Sequence, residues 1–252
     1  MEPLDATRAS RIARVALVVL FVAGAALRLH NALGYWPNHG FDAPFNWAYV
    51  ERLTRDWSLP HPESQWSAAR PPLFFYAGAA LARAFGPGPG PSIWAIRIAS
   101  SALGLAAIAL IAFFVRRSAP SDPVRAPLAA ALLLFLPAHV MMSAMLNEEI
   151  AVASLTTVAL FLACGAKDGI PSPRRAAVLG LVGGLALLTK RTGGLVVAAT
   201  AAAIALAGAR TGGLRPALAR AGIVVAVVLV VRGWCYARTV VVQRYLYSPA
   251  LD

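Results

Sequence analysis

Long apolar segments dominate the chain and determine its predicted fold. Seven blocks of about 14 to 24 residues carry few charged side chains, and short Arg-rich or Gly/Pro-rich stretches separate them. Apolar runs of this length predict membrane-spanning helices. The pattern therefore predicts an all-α protein, a polytopic transmembrane helical bundle with seven spans: Val15–Leu33, Ser92–Val115, Pro127–Met145, Glu149–Cys164, Ala176–Thr189, Gly193–Ala209 and Ala221–Cys235.

An eighth apolar segment, Pro72–Phe85, is predicted to lie along the membrane surface. At about 1.5 Å per residue its length is roughly 21 Å, which is less than the ~30 Å hydrocarbon core of a bilayer. Arg83 also interrupts it. We therefore expect an interfacial helix here, inside a first extracytoplasmic loop over Gly34–Gly90 of a single module that covers residues 1–252.

The positions of the cations support seven spans with a cytoplasmic N-terminus. Cytoplasmic connections of membrane proteins are enriched in Lys and Arg. With seven spans, four clusters of three cations lie inside: Arg8, Arg11 and Arg14; Arg116, Arg117 and Arg125; Lys167, Arg174 and Arg175; Arg210, Arg215 and Arg220. With eight spans, three of these clusters would lie outside. A cleaved signal peptide remains an alternative for the first apolar run.

Composition and charge exclude several classes of function. The chain has 59% hydrophobic and only 13% charged residues, whereas soluble domains have about 25% charged residues. The net charge of +12 would suit nucleic acid in a soluble protein, but its clustered distribution indicates topology and contact with membrane lipids. HExxH, CxxC, P-loop and GxGxxG patterns are absent from the sequence, so we expect no metal and no cofactor.

The first outer loop is the only long hydrophilic segment and contains aromatic residues at helical spacing. It holds four of the six tryptophans: Trp36, Trp47, Trp57 and Trp66. Phe41, Phe45, Tyr49, Leu53 and Trp57 recur every four residues, which places them along one side of a helix. This pattern predicts an amphipathic interfacial helix over about Pro44–Trp57, with its aromatic rings at the membrane boundary.

Two charged residues of this loop are candidates for chemistry. Asp42 precedes the predicted helix, where its carboxylate is either a helix N-cap or a general base for an acceptor hydroxyl. Arg70 is held by the rigid Pro71-Pro72 pair, and its guanidinium either anchors lipid headgroups or grips a phosphate. The spacing alone does not decide between these alternatives.

Three further polar residues lie at or within predicted spans. Glu148 and Glu149 flank a span boundary, where ionisable groups are costly, so they are either solvated loop residues or part of a site. His139 lies inside the third predicted span, and we interpret it as a core residue rather than a ligand.

Four stretches of the chain resemble motifs of one family, and their order and spacing add to the likeness. Ala26–Leu29 is followed by Gly40–Ala43 and Tyr49. Arg70–Tyr76 is similar to an (H/K/Q)-P-P-L-Y-Y-Y motif and precedes Phe85-Gly86 and Arg97. The third stretch is Ser143–Glu148. The fourth is Leu185–Lys190 before Gly193-Gly194, taken together with Gly233–Arg238, which resembles a W-Y-x-R-N run. Together they resemble the N-terminal half of GT-C membrane glycosyltransferases, which include protein O-mannosyltransferases and lipid A aminoarabinose transferases.

The resemblance implies a function and roles for particular residues. It implies a bacterial inner-membrane enzyme that transfers a sugar, with inversion, from a polyprenyl-phosphate donor to a hydroxyl of a lipid, glycan or protein on the extracytoplasmic face. Catalytic roles are implied for Asp42, as base, and for Glu148, which would position acceptor or sugar. Substrate-binding roles are implied for Arg70, Tyr49, Lys190 and Arg238.

The chain also departs from the family pattern, which keeps a second function open. Ala43 replaces a common Glu, and Arg70 replaces His, Lys or Gln. Most relatives continue beyond the point that corresponds to Asp252. The alternative is a non-catalytic membrane subunit or scaffold derived from a truncated module, with a membrane partner. Transport is disfavoured because no span carries a buried acidic pair or an evident broken repeat.

Overall fold

The computed structural model describes residues 6–40, 42–60, 70–86, 89–164 and 170–247. Phe41, Trp66 and Lys167, which take part in the sequence patterns above, lie outside the described residues. The described part of the chain folds into helices without strands: α1 (Ala6–Gly34), α2 (Ala43–Asp56), α3 (Leu73–Phe85), α4 (Pro89–Ser118), α5 (Arg125–Leu134), α6 (Pro137–Ser143), α7 (Glu149–Cys164), α8 (Pro173–Thr189), α9 (Gly193–Thr211) and α10 (Leu214–Tyr247).

The helices follow the predicted apolar segments, so the all-α prediction is confirmed for the described residues. The predicted helix over Pro44–Trp57 is α2, and the short segment Pro72–Phe85 is α3. The third predicted span differs, because it divides into α5 and α6, which meet at 60°. Leu136 has an extended backbone directly before Pro137, and the residue before proline is disfavoured in the α conformation. The proline therefore breaks this helix.

Length and composition support a multi-pass membrane protein with four or five spans. Among the described helices, α1, α4, α9 and α10 are long and apolar enough to cross a membrane, and the bent pair of α5 and α6 makes a fifth. By contrast, α7 has 16 residues and α8 has 17, which corresponds to roughly 24 to 26 Å of helix. Seven spans therefore stay a prediction, which requires that these two helices also cross.

Helix α8 packs closely against α10 through glycines. A Cβ atom at Gly180 would lie 2.7 Å from the carbonyl oxygen of Val224, and one at Gly184 would lie 2.8 Å from the Cβ of Val231. Small residues allow such close approach between helix backbones in membranes. The shorter helix is thereby held along the long α10.

Three buried arginines bind backbone carbonyls where helices end. Arg28 of α1 donates to the oxygen of Leu134 at 2.9 Å, at the break after α5. Arg97 of α4 donates to four carbonyls over residues 32–37, around the end of α1, and Arg232 of α10 donates to Leu187 near the end of α8 at 3.0 Å. Because the last carbonyls of a helix lack partners within it, these side chains stabilise the chain where it leaves the helices.

Helices α2 and α3 lie side by side and run in the same direction. Tyr49 stacks on Phe75 with ring centroids 4.3 Å apart, and near the other end Arg83 Nε donates to the oxygen of Thr54 at 2.7 Å. The aromatic stripe of α2 is divided between two environments, because Tyr49 and Leu53 are buried whereas Phe45 and Trp57 are exposed. This parallel pair brings both helix N-termini to the same place.

Candidate functional site

Asp42 lies at the N-terminus of α2, on a segment that Arg97 holds. Arg97 donates to the oxygens of Tyr35 and Trp36 at 2.8 and 2.7 Å, and the chain then turns at Gly40, whose φ is +118°. Asp42 occupies the N-cap position, but its carboxylate accepts no hydrogen bond from the helix. The carboxylate instead forms an ion pair, with Oδ2 3.2 Å from Nη2 of Arg70.

Arg70 lies just before the N-terminus of α3 and contacts two residues of the α2 segment. Its side chain is 13% exposed, and its Nη1 donates to Oδ1 of Asn46 while Nη2 faces Asp42. Pro71 and Pro72 are buried and lead directly into α3. Because α2 and α3 are parallel, the positive ends of two helix dipoles lie at this ion pair, which favours an anion there.

Asn46 is a residue of the site that the sequence patterns did not reveal. Its side chain is fully buried, and its Nδ2 donates to the backbone oxygen of Leu146 at 2.8 Å. The available signal is that an amide interrupts the apolar face of α2, one turn after Asp42. A buried amide without partners is costly, so such an interruption indicates a hydrogen-bonded partner elsewhere in the fold.

Glu148 and Glu149 form ion pairs with Lys190 at the start of α7. The side chain of Glu148 is 11% exposed, and its Oε1 lies 3.8 Å from Nζ of Lys190. The contact of Lys190 with Glu149 is closer, and Glu149 is 45% exposed. Lys190 follows the last residue of α8. The glutamates are therefore paired residues at a junction between α7 and α8 and not merely solvated loop residues.

Arg238 and Tyr49 are the two remaining residues of the predicted site. Arg238 of α10 donates from Nη2 to the oxygen of Pro60 in the first loop at 2.5 Å. The side chain of Tyr49 is 1% exposed, and its hydroxyl has no hydrogen-bond partner within the described residues. Burial raises the pKa of the Tyr49 hydroxyl, and the positive charge of Arg238 only partly opposes this. Tyr49 is thus a neutral packing residue here, and its role in substrate binding stays a prediction.

The polar residues form a connected series across distant parts of the sequence. Asp42 contacts Arg70, Arg70 contacts Asn46, and Asn46 binds Leu146, two residues before Glu148. Within the described ranges, no group of three or more His, Cys, Asp and Glu side chains is close enough to hold a metal ion. His139 contacts Arg28 at 3.0 Å within the bundle, as expected for a core residue.

An apolar groove runs from the start of α3 into the membrane region. It has a volume of about 510 Å³ and lies between α3, α4 and α7. Leu73 and Phe74, which directly follow the Arg70-Pro71-Pro72 segment, line one part, and Thr189, the neighbour of Lys190, lines another. The groove is therefore lined by residues that closely follow Arg70 and directly precede Lys190 in the sequence.

One family model matches the chain over residues 69–236, and its description is dolichyl-phosphate-mannose-protein mannosyltransferase. The match includes Arg70, Glu148 and Lys190, whereas Asp42 precedes it and Arg238 follows it. No curated protein and no solved structure matches the chain. Because the family model covers most of the chain and the helices include four or five candidate spans, the chain belongs to the dolichyl-phosphate-mannose-protein mannosyltransferase family, a family of membrane glycosyltransferases of the GT-C type.

Proposed function

We propose that this chain transfers a sugar from a polyprenyl-phosphate donor to a hydroxyl acceptor, at a site formed by Asp42 and Arg70. The observation that carries the proposal is the ion pair of these residues at the shared N-terminal end of α2 and α3. A carboxylate beside a guanidinium supplies both groups that such a transfer needs, a base for the acceptor and a cation for the departing phosphate.

Asp42 acts on the attacking oxygen and Arg70 on the leaving phosphate. Asp42 takes the proton of the acceptor hydroxyl while that oxygen attacks the anomeric carbon of the sugar. The bond between this carbon and the phosphate oxygen breaks, and the anomeric configuration inverts. Arg70 binds the phosphate oxygens in the manner typical of guanidinium groups, and the two helix dipoles add to the stabilisation of the negative charge.

The second group of charged residues has a supporting role in this proposal. Glu148 positions the acceptor or the sugar, and its carboxylate is held by the ion pair with Lys190. Lys190 and Arg238 contribute positive charge toward the donor phosphate. Tyr49 supports the site from the core by its stacking on Phe75.

The apolar groove supports a lipid-linked donor. Its lining is almost entirely apolar along α3, α4 and α7, and it includes Leu73 and Phe74, which closely follow Arg70 in the sequence. A polyprenyl chain in this groove would therefore have its phosphate near the cations. The acceptor is a hydroxyl of a lipid, glycan or protein on the extracytoplasmic face of a bacterial inner membrane, with the N-terminus in the cytoplasm.

The test is Asp42→Asn, which keeps the size of the side chain but removes its ability to accept a proton. Transfer of labelled sugar from a polyprenyl-phosphate donor should fall about 10²- to 10⁴-fold, the usual contribution of a general base. Because the ion pair with Arg70 is partly exposed, the free energy of unfolding should change by no more than about 1 kcal/mol. Both are measured on purified protein in detergent or nanodiscs.

Asp56→Asn is the matched control, since it makes the same change at the exposed C-terminal end of α2. It should leave transfer within about threefold of wild type. If wild type neither binds nor transfers any polyprenyl-phosphate sugar, and Asp42→Asn has no effect in cells, the enzyme proposal fails. The non-catalytic subunit then becomes the better explanation.

A further inference from the structure

Asn46 joins the two parts of the site through a single buried side chain. Its Oδ1 accepts a hydrogen bond from Nη1 of Arg70, and its Nδ2 donates to the oxygen of Leu146, 100 residues later in the chain. The side chain is fully buried. Leu146 itself is 1% exposed and packs in the same hydrophobic cluster as Tyr49 and Val50. The segment before Glu148 is therefore attached to α2 by both its backbone and its side chain.

The chemistry of an amide suits the place between Arg70 and Leu146. An amide offers an acceptor oxygen and a donor nitrogen, so it satisfies a guanidinium on one side and a carbonyl on the other. A carboxylate of the same shape would bind Arg70 as an ion pair and would repel the carbonyl of Leu146. An apolar side chain of the same size would leave both groups without this partner.

The two terminal nitrogens of the Arg70 guanidinium contact partners of different charge. Nη1 is held by the neutral Asn46, whereas Nη2 faces the carboxylate of Asp42, whose side chain is 39% exposed. Among the described residues, an incoming phosphate therefore competes with the carboxylate of Asp42, whereas the hydrogen bond of Arg70 to Asn46 involves a neutral group. The hydrogen bond to Asn46 would hold Arg70 in place when a phosphate replaces Asp42 as its ionic partner.

We propose that Asn46 is a positioning residue, which anchors Arg70 through a neutral hydrogen bond so that the donor phosphate can displace Asp42, and which holds the Leu146–Glu148 segment against this anchor. The first part rests on the proposed function, and the second part does not. Release of Asp42 from Arg70 by the donor then frees the carboxylate for the acceptor hydroxyl.

The first experiment compares Asn46→Asp with wild type in the binding of farnesyl phosphate, a short polyprenyl phosphate, and in transfer kinetics. The new carboxylate gives Arg70 a competing ionic partner, and hydrogen bonds to charged groups contribute about 1.5 to 3 kcal/mol. The Kd for farnesyl phosphate and the KM for the donor should therefore rise about tenfold or more. The value of kcat should change less than KM. If Asn46 had a purely structural role, the variant would give a smaller fraction of active protein, without a rise in KM that exceeds the change in kcat.

Asn38→Asp is the matched control, because it makes the same change at an exposed residue of the first loop. It should leave Kd and KM within about twofold of wild type. The proposal is overturned if wild type binds farnesyl phosphate and Asn46→Asp binds it equally well.

The second experiment needs no substrate and uses hydrogen exchange of the full chain in detergent. Asn46→Leu keeps the size but removes the bond to Leu146, so amides of residues 144–148 should exchange about tenfold faster, while amides within α4 are unchanged. Unchanged exchange in residues 144–148 overturns the anchoring role, even if wild type proves inactive. Wild type that binds no farnesyl phosphate refutes the proposed function and the phosphate exchange at Arg70, whereas the anchoring role is decided by hydrogen exchange alone.

Discussion

Asn46 and Tyr49 lie one turn apart on the buried face of α2, but only one of them has partners for its polar group. The amide of Asn46 binds Arg70 and Leu146. The hydroxyl of Tyr49 is buried and has no hydrogen-bond partner within the described residues. A buried polar group without a partner costs about 1 to 3 kcal/mol, so the Tyr49 hydroxyl lowers stability whereas the bonded Asn46 amide does not carry this cost.

At the residue scale we therefore predict that Tyr49→Phe stabilises the protein. The free energy of unfolding in detergent should rise by about 1 kcal/mol, because the variant removes only the unpartnered hydroxyl. Above about pH 10, where an exposed tyrosine ionises, the raised pKa of Tyr49 in the folded state makes wild type lose stability as pH rises. Tyr49→Phe should lose less stability over the same rise in pH.

Tyr76→Phe is the control for this prediction, because the hydroxyl of Tyr76 donates to the oxygen of Trp57 at 3.0 Å. Its loss should give no stabilisation. If Tyr49→Phe instead keeps its stability but lowers transfer more than about tenfold, the hydroxyl contacts substrate during the reaction, as the family resemblance implies.

At the scale of elements, glycines of α8 allow this helix to pack closely against α10. The contact at Gly180 is with the backbone oxygen of Val224 and cannot be relieved by a side-chain rotation. We predict that Gly180→Ala separates the helices and lowers the free energy of unfolding by about 1 to 3 kcal/mol. Thermal unfolding in detergent measures this.

Gly222→Ala provides the matched change on α10, since a Cβ atom there meets no atom within 4 Å. Alanine favours a helix interior more than glycine, so this variant should be at least as stable as wild type. Equal stability of the two variants would contradict the close packing of α8 on α10.

At the scale of the whole molecule, the number of spans depends on whether α7 and α8 cross the membrane. Both are shorter than a typical span, but short helices can cross where the bilayer thins or where other helices surround them. Helix α7 packs on α4, and α8 packs on α10. The positive-inside rule predicts that both cross, because the cluster with Arg174 and Arg175 would otherwise lie outside.

Cysteine labelling tests this topology. In a background that lacks Cys164 and Cys235, a membrane-impermeant maleimide should label Ser58→Cys in intact cells. Asp122→Cys, between α4 and α5, and Ser172→Cys, before α8, should react only after permeabilisation. Labelling of Ser172→Cys from outside would show that α7 and α8 do not cross as predicted.

The sequence by itself determined most of the helices and the membrane class, and it indicated two residues of the candidate site. Helix formation and membrane insertion depend on local apolar spacing and charge, so the helical segments could be identified without tertiary contacts. Asp42 and Arg70 stood out because each adjoins a predicted interfacial helix. The family resemblance added Lys190 and Arg238, which no local pattern singles out, and it suggested a role for Glu148, which its position at a span boundary had already made a candidate.

Only the tertiary structure decided which of these residues meet and which are buried. The pairing of Asn46 with Leu146 depends on how α2 and α3 pack against a segment 100 residues away, and no local pattern encodes that register. The same packing encloses Tyr49, although its spacing also suits an exposed aromatic stripe. The carboxylate of Asp42 leaves its capping position for Arg70 because the parallel arrangement of α2 and α3 places a guanidinium within 3.2 Å of it.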